Sequence, residues 1–207
     1  MTARQPNVLV VNPNVPANNL KQFLALAKSQ PGKLNYASVG NGSVSHLSME
    51  LLKREAAIDI THVPFNGGPP AVQALMAGDV QAIFTAPSNV LGQIKAGRLK
   101  AIAVTSAQRF ALLPDVPTVA ESGVTSLASF EAISWNALLA PRDTPPAIVA
   151  RLNTEINAIF LDAGMKKKFT DAGIEVGGGT AESLRDWMAA EAVKWGEIIR
   201  VTGASVD

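Results

Sequence analysis

Residues 34–52, LNYASVGNGSVSHLSMELL, decide how the rest of the chain is read. The first five, 34–38, are half apolar and bounded by polar residues, the mark of a short strand. Gly40-Asn41-Gly42 then calls for a sharp turn, because glycine adopts backbone angles that a Cβ resists. Ser43 stands in N-cap position, and Val44, Leu47 and Leu51 recur behind it at helical spacing. A strand, a glycine turn and a helix start leave backbone N–H groups unpaired at the positive end of a helix dipole. Such an end takes phosphate or carboxylate. The stretch predicts an anion site.

Working outward, residues 7–12 (NVLVVN) form an apolar run closed by Pro13, the pattern of a strand buried on both faces. A helix over about 18–29 follows and is stopped by Pro31-Gly32. Downstream, a strand over 58–63 ends at Pro64, and Asn66-Gly67-Gly68-Pro69-Pro70 turns the chain into a helix over 71–77. A strand over 80–84 leads to a third turn, Thr85-Ala86-Pro87-Ser88, and a helix ending near Gly97. The run 99–105 is again a strand. This alternation predicts an α/β fold with parallel β-α-β units. All three turns then fall at the carboxyl ends of strands, where ligands bind in such sheets.

From Leu113 the pattern changes. A proline-punctuated loop with a short helix leads to an extended stretch, 130–135, and a strand over 136–140. Pro145-Pro146 starts a long amphipathic helix with Ile148, Leu152, Ile156, Ile159 and Phe160 on one face. A short helix over 165–172 follows, and Thr180 caps a last helix. Boundaries are expected near Asn12 and Phe130. They give a middle lobe, 13–129, set between a hinge strand at 1–12 and a return segment at 130–207.

Several function classes are disfavoured. With 47% apolar and 17% charged residues the chain buries a sizeable core, and a net charge of +1 gives no footprint for nucleic acid. Absent cysteine removes thiolate chemistry, and two histidines cannot form a multi-histidine metal site. No cofactor or metal is expected. Gly40-x-Gly42-x-x-Ser45 approaches a dinucleotide fingerprint, but Ser45 replaces the third glycine and His62 stands where an acid belongs. Ser43 and His46, three apart, could pair as nucleophile and base, yet no strained G-x-S-x-G elbow surrounds Ser43. His46 reads as a packed or hydrogen-bonded histidine, and His62 as structural. Lys166-Lys167-Lys168 is a solvated helix face.

The blocks NVLVVNP, QPGKLNYASVGNGSVSHLSMELL, HVPFNGGPPAVQALMAGDV, IKAGRLKAIAVTS, LPDVPTVAESG and EAVKWGEIIR together resemble the TctC or Bug-type receptors of tripartite tricarboxylate transporters. The likeness runs through essentially the whole chain. It implies a periplasmic-binding-protein-like fold of type II, a periplasmic location, no catalysis, a small carboxylate ligand and delivery to membrane permease subunits. It also implies that the family's ligand loops match Ser38, Gly40, Asn41, Gly42 and Ser43, then Phe65, Asn66 and Gly67, then Thr85 and Ala86.

Two departures from the family pattern stand out. The family's signal peptide and first-lobe glycine loop do not precede NVLVVNP, so one complete lobe plus a partial second lobe is expected. Self-association through uncovered apolar faces follows from that. Many relatives also have an acid where Thr85-Ala86 stands, which predicts carboxylates without an amino group as ligands. A small-molecule sensor domain of a regulator with the same bilobal fold is the alternative reading.

Overall fold

The structure, a computed structural model, describes residues 1–204. The chain runs β1 (Ala3–Pro6), β2 (Val8–Val11), α1 (Leu20–Ser29), β3 (Asn35–Ser38), α2 (Val44–Ala56), β4 (Thr61–Pro64), α3 (Gly68–Ala77) and β5 (Ala82–Thr85). It continues through α4 (Pro87–Lys95), β6 (Lys100–Val104), two short 3-10 turns, β7 (Ile133–Asn136), α5 (Pro146–Leu161), α6 (Ala163–Asp171), β8 (Glu175–Val176) and α7 (Ala181–Thr202). Two compact units result, Pro6–Ile133 with the chain from Glu197, and Met1–Gln5 with Ser134–Gly196.

The larger unit carries a five-stranded sheet in the order β4-β3-β5-β2-β6. β3 lies parallel to β4 and β5, whereas β2 runs antiparallel between β5 and β6. The β-α units therefore all point one way, and β2 threads against them. Side chains alternate across a sheet, which sorts the core into two layers. Val8, Val10 and Ile83 pack in one cluster with Val72 and Leu75 of α3 and Val90 of α4. Leu9 and Phe84, paired in register, point the other way and are as deeply buried, with Phe84 stacked on Phe130 at 6.4 Å.

The sequence expects 7–12 among the terminal segments as a hinge strand; β2, Val8–Val11, is fully buried and paired on both edges inside the larger sheet. A doubly apolar strand announces that it is covered, not which elements cover it. The division into compact units falls ahead of Pro6, earlier than the boundary expected near Asn12, and after Ile133, close to the one expected near Phe130. The tail of α7 belongs to the larger unit too, where Ile198 is 2% exposed and Glu197 bonds Arg54 at 2.8 Å. Residues 205–207 of the expected return segment lie outside the described residues.

Thr105, fully buried, ties three strands of chain together. Its hydroxyl accepts from the Asn7 N–H (2.8 Å) and donates to the Ala132 carbonyl (2.5 Å). Its own N–H donates to the Asn7 carbonyl (2.9 Å), and its carbonyl accepts from the Ala132 N–H (3.0 Å).

The smaller unit holds a three-stranded sheet in the order β7-β1-β8. β1 and β8 pair antiparallel through Ala3 with Val176 and Arg4 with Glu175. Neither strand is legible locally, since ARQP is polar and ends in proline, and β8 has two residues. The strand expected over 136–140 lies earlier, at Ile133–Asn136. Asn153 and Asn157 of α5 donate to the Gly179 carbonyl at 2.9 and 3.1 Å. No residue of α5 is fully buried, and Ile148, Leu152 and Ile159 are about half exposed, at 51%, 44% and 49%.

Candidate anion site at three strand-to-helix turns

α2 starts where the sequence places it, with Ser43 as N-cap and its hydroxyl oxygen accepting from the His46 N–H (3.3 Å). The turn before it needs glycine twice, since Gly40 and Gly42 have φ of +138° and +69°. Ser38, the buried last residue of β3, bonds the turn from below. Its hydroxyl accepts from the Gly40 N–H (3.2 Å) and donates to the Gly40 carbonyl (3.1 Å). The same carbonyl accepts from the Ser43 hydroxyl at 2.6 Å and the Ser43 N–H at 3.3 Å. Gly42 donates its N–H to Nδ1 of His46 at 3.1 Å.

These bonds change which groups can meet an anion. The N–H groups of Gly40, Gly42 and Ser43 and the Ser43 hydroxyl, the expected donors, are engaged inside the turn. Those of Asn41, Val44 and Ser45 have no partner among the described residues. Three donors hold the Gly40 carbonyl inward. The peptide bond is trans, so the Asn41 N–H on its other side points the opposite way. Ser43 shapes the turn; its neighbours offer the donors.

The other two turns close on this one. The Phe65 N–H donates to the Ser38 carbonyl (3.1 Å), and the Phe65 carbonyl lies 3.9 Å from where a Cβ on Gly40 would sit. Gly67, at φ +100°, caps α3, whose next residues are Gly68, Pro69 and Pro70. Asn66 is exposed beside it. Thr85 ends β5 with its hydroxyl accepting from Nδ2 of Asn89 at 2.9 Å, and Ala86 is the N-cap of α4. A Cβ on Gly68 would meet the Asn89 carboxamide at 2.6–2.9 Å, so the starts of α3 and α4 are in contact. Ser45 donates to the Phe84 carbonyl and fixes α2 on β5. The turns 38–43, 65–68 and 85–88 contain no charged side chain, leaving helix dipoles and N–H groups as the attraction.

Beneath the first turn lies a polar stack. The His46 and His62 rings are 3.9 Å apart and nearly parallel, and Tyr36 stacks on His62 at 4.9 Å. Nε2 of His62 is 2.7 Å from the Ser38 hydroxyl, and Tyr36 donates to Glu50 at 2.5 Å, beside Lys53 at 2.7 Å. Burial, then the neighbouring His46, brings the His62 pKa down to about 4. Burial also lowers His46, against the pull of Glu50. Burial and the Glu50 bond push the Tyr36 phenol far up. His46 and His62 are thus packed and bonded, as the sequence implied. With its hydroxyl donating to Gly40 and His46 accepting from Gly42, the pair Ser43–His46 is not arranged as nucleophile and base.

Asn89 and the histidine stack are participants that the sequence did not assign to the site. Asn89 has no local signal, because its place is set by Gly68 on another helix. A cavity of about 320 Å³ lies elsewhere, in the smaller unit, lined by Leu138, Leu139, Leu152, Ile156 and Leu184 among others. No charged side chain lines it, and its walls are mainly aliphatic, with Asn153, Asn157 and Thr180 among the polar lining.

The chain is 37% identical, over 96% of its length, to the UPF0065 protein in the tcbD-tcbE intergenic region of Pseudomonas sp. strain P51. It is 34% identical, over 100% of its length, to Protein BugT of Bordetella pertussis. It spans 59% and 62% of those two proteins. Among solved structures, R. palustris Rpa4515 with adipate matches at a TM-score of 0.87 and 32% identity, over 99% of this chain and 67% of that one. MatC from Rhodopseudomonas palustris with bound malate matches at 0.79 and 32%, over 95% and 67%. The periplasmic binding protein BugD matches at 0.82 and 28%, over 99% and 68%, which places the α/β fold among periplasmic binding proteins. A model of the tripartite tricarboxylate transporter family receptor matches residues 1–204, and the chain belongs to that family of receptors.

Proposed function

We propose that this chain carries the ligand-gripping lobe of an extracytoplasmic solute receptor that takes a small carboxylate at the three turns. The observation that carries the reading is the convergence of three helix starts on one sheet edge. There the outward Asn41 N–H and the first-turn N–H groups of Val44 and Ser45 are unengaged. Backbone donors at a helix start form charge-assisted bonds with a carboxylate and need no counter-charge. The adipate and malate bound by two structural neighbours support the ligand class. Ser38, Gly40, Gly42 and Ser43 build the first turn; Phe65, Asn66 and Gly67 the second; Thr85 and Ala86, braced by Asn89, the third. Membership of the receptor family supports a periplasmic location and hand-over to permease subunits.

The three turns hold no carboxylate, so an ammonium group entering them would lose water without gaining a partner. The ligand is accordingly an acid without an amino group. A thermal-shift and calorimetry panel of succinate, malate, adipate, aspartate and glutamate tests both statements. Stabilisation by the first three is expected, and a preference for aspartate or glutamate overturns the ligand class. Exposed Leu138, Leu139, Ile148, Leu152 and Ile159 support self-association of this chain in solution, with light scattering as the check.

A further inference from the structure

We propose that His46 is a positioning residue of the anion turn, accepting the Gly42 N–H from inside the helix, and that His62 stacked on it keeps it in place. The proposal rests on the reading of this turn as the carboxylate site. Gly42 and Ser43 follow the one peptide whose N–H points outward, and the path of the backbone there depends on where Gly42 is anchored. That anchor is a ring nitrogen 3.1 Å away, four residues along the chain. A nitrogen that accepts carries no proton, so the proton of neutral His46 sits on Nε2.

The second ring completes the arrangement. With Nε2 of His62 donating to the Ser38 hydroxyl, that hydroxyl gives its single proton to the Gly40 carbonyl and accepts the Gly40 N–H. The Ser38 hydroxyl and both backbone groups of Gly40 then have partners. Both rings thus hold the turn at different points, His46 at Gly42 and His62 through Ser38, and they lie face to face at 3.9 Å.

The arrangement works only while His46 is neutral. A proton on Nδ1 would set two donors against each other at Gly42. The groups around the rings are Tyr36 on β3 and Glu50 and Lys53 on α2, with the rings themselves. β5 and the 3-10 turn at Thr125–Leu127, which pack on α2, bring no titratable side chain. Burial favours the neutral rings against the pull of Glu50; His46, 3.9 Å away, also opposes a charge on His62, and Lys53 opposes one on either ring.

The test is nuclear magnetic resonance and amide exchange on the chain as it stands, with malate as probe. In the unmutated chain the Gly42 nitrogen is expected to show scalar coupling across the hydrogen bond to Nδ1 of His46. Protection of the Gly42 amide, relative to the free-chain exchange rate at each pH, should be present at pH 7.5 and be lost as the pH falls below the ordinary imidazole range. His46→Leu keeps the volume and removes the acceptor; Gly42 exchange should quicken at least tenfold, with Val10 and Ile83 amides still protected. His46→Asn puts an oxygen where Nδ1 lies and should restore protection and remove its dependence on pH. Malate affinity should fall at least tenfold in His46→Leu and return to within threefold in His46→Asn. Absent coupling in the unmutated chain overturns the proposal even if a variant fails to fold. Equal Gly42 exchange in His46→Leu, or failure of a folded His46→Asn to restore it, also overturns it. No malate binding by the unmutated chain, with the Gly42 results as expected, overturns the carboxylate reading and leaves the positioning role standing.

Discussion

Replacing Val44 by proline removes one hydrogen-bond donor from the candidate site and almost nothing else. Val44 is the first residue of α2, and its N–H has no partner among the described residues. Proline is well tolerated at that position, because its fixed φ suits a helix start and the lost N–H has no helical role. Ser43 already has φ −65° and ψ 158°, the extended conformation that a residue before proline requires. The fold should therefore survive, with stability within about 1 kcal/mol of the starting chain by urea titration. A charge-assisted bond to a carboxylate contributes on the order of 1.5–3 kcal/mol. Its loss weakens binding by roughly tenfold to a hundredfold. Val44→Ala is the control, since it trims the same half-buried side chain and keeps the N–H. Calorimetry with malate at pH 7.5 should separate the two variants. Equal affinities would refute the claim that first-turn N–H groups hold the ligand.

Three further outcomes follow from particular contacts. Gly68→Ala displaces the Asn89 carboxamide, an exposed side chain that can move, so the cost is about 1 kcal/mol, the Asn89–Thr85 bond. In a double-mutant cycle Gly68→Ala and Asn89→Ala should be non-additive, and additive losses would deny the contact. Thr105→Val keeps the shape but takes a donor from the Ala132 carbonyl and an acceptor from the Asn7 N–H, costing about 2–4 kcal/mol by denaturant titration. A variant as stable as the parent would show that the hydroxyl is dispensable. His62 has its folded pKa depressed to about 4, against about 6.5 in an unfolded chain. The unfolded chain thus binds more protons between these values, so stability is full above pH 6.5 and falls as pH drops towards 4. Urea midpoints from pH 7.5 to 5 should decline more steeply in the parent than in His62→Gln, and equal slopes would contradict the depressed value.

Much of the larger unit was legible because its signals are local. Ser43, the glycines before it and the apolar spacing behind it marked the start of α2, and Gly67 and Pro87 marked α3 and α4. The pairing of strands was less legible. β2 carries an apolar run that fits any covered position, and only its partners β5 and β6, more than seventy residues away, place it. β1 and β8 lack strand character and exist through each other. At the site, sequence could say that a helix start offers N–H groups, but not which of them the fold uses up. That depended on the ring of His46 reaching back to Gly42 and on Ser38 and Ser43 both reaching the Gly40 carbonyl. Asn89 was invisible for a related reason, its role being defined by a missing Cβ on another helix.

The knot of bonds at Thr105 has a consequence for how this part of the molecule could be moved. Asn7 and Ala132 lie within a residue or two of the two ends of the segment Pro6–Ile133, and a single threonine bonds both. The segment therefore begins and ends side by side. A stretch whose ends already touch can be spliced into a loop of a host protein, or have its ends joined by a few residues and be reopened at an exposed turn, with little change in the paths of its strands. The C-terminal residues around Ile198 would have to travel with it, since their hollow on α2's side would otherwise stand open. Given that companion, the segment with its three strand-to-helix turns forms a graftable cassette, with Thr105 as the clasp that keeps its two leads together.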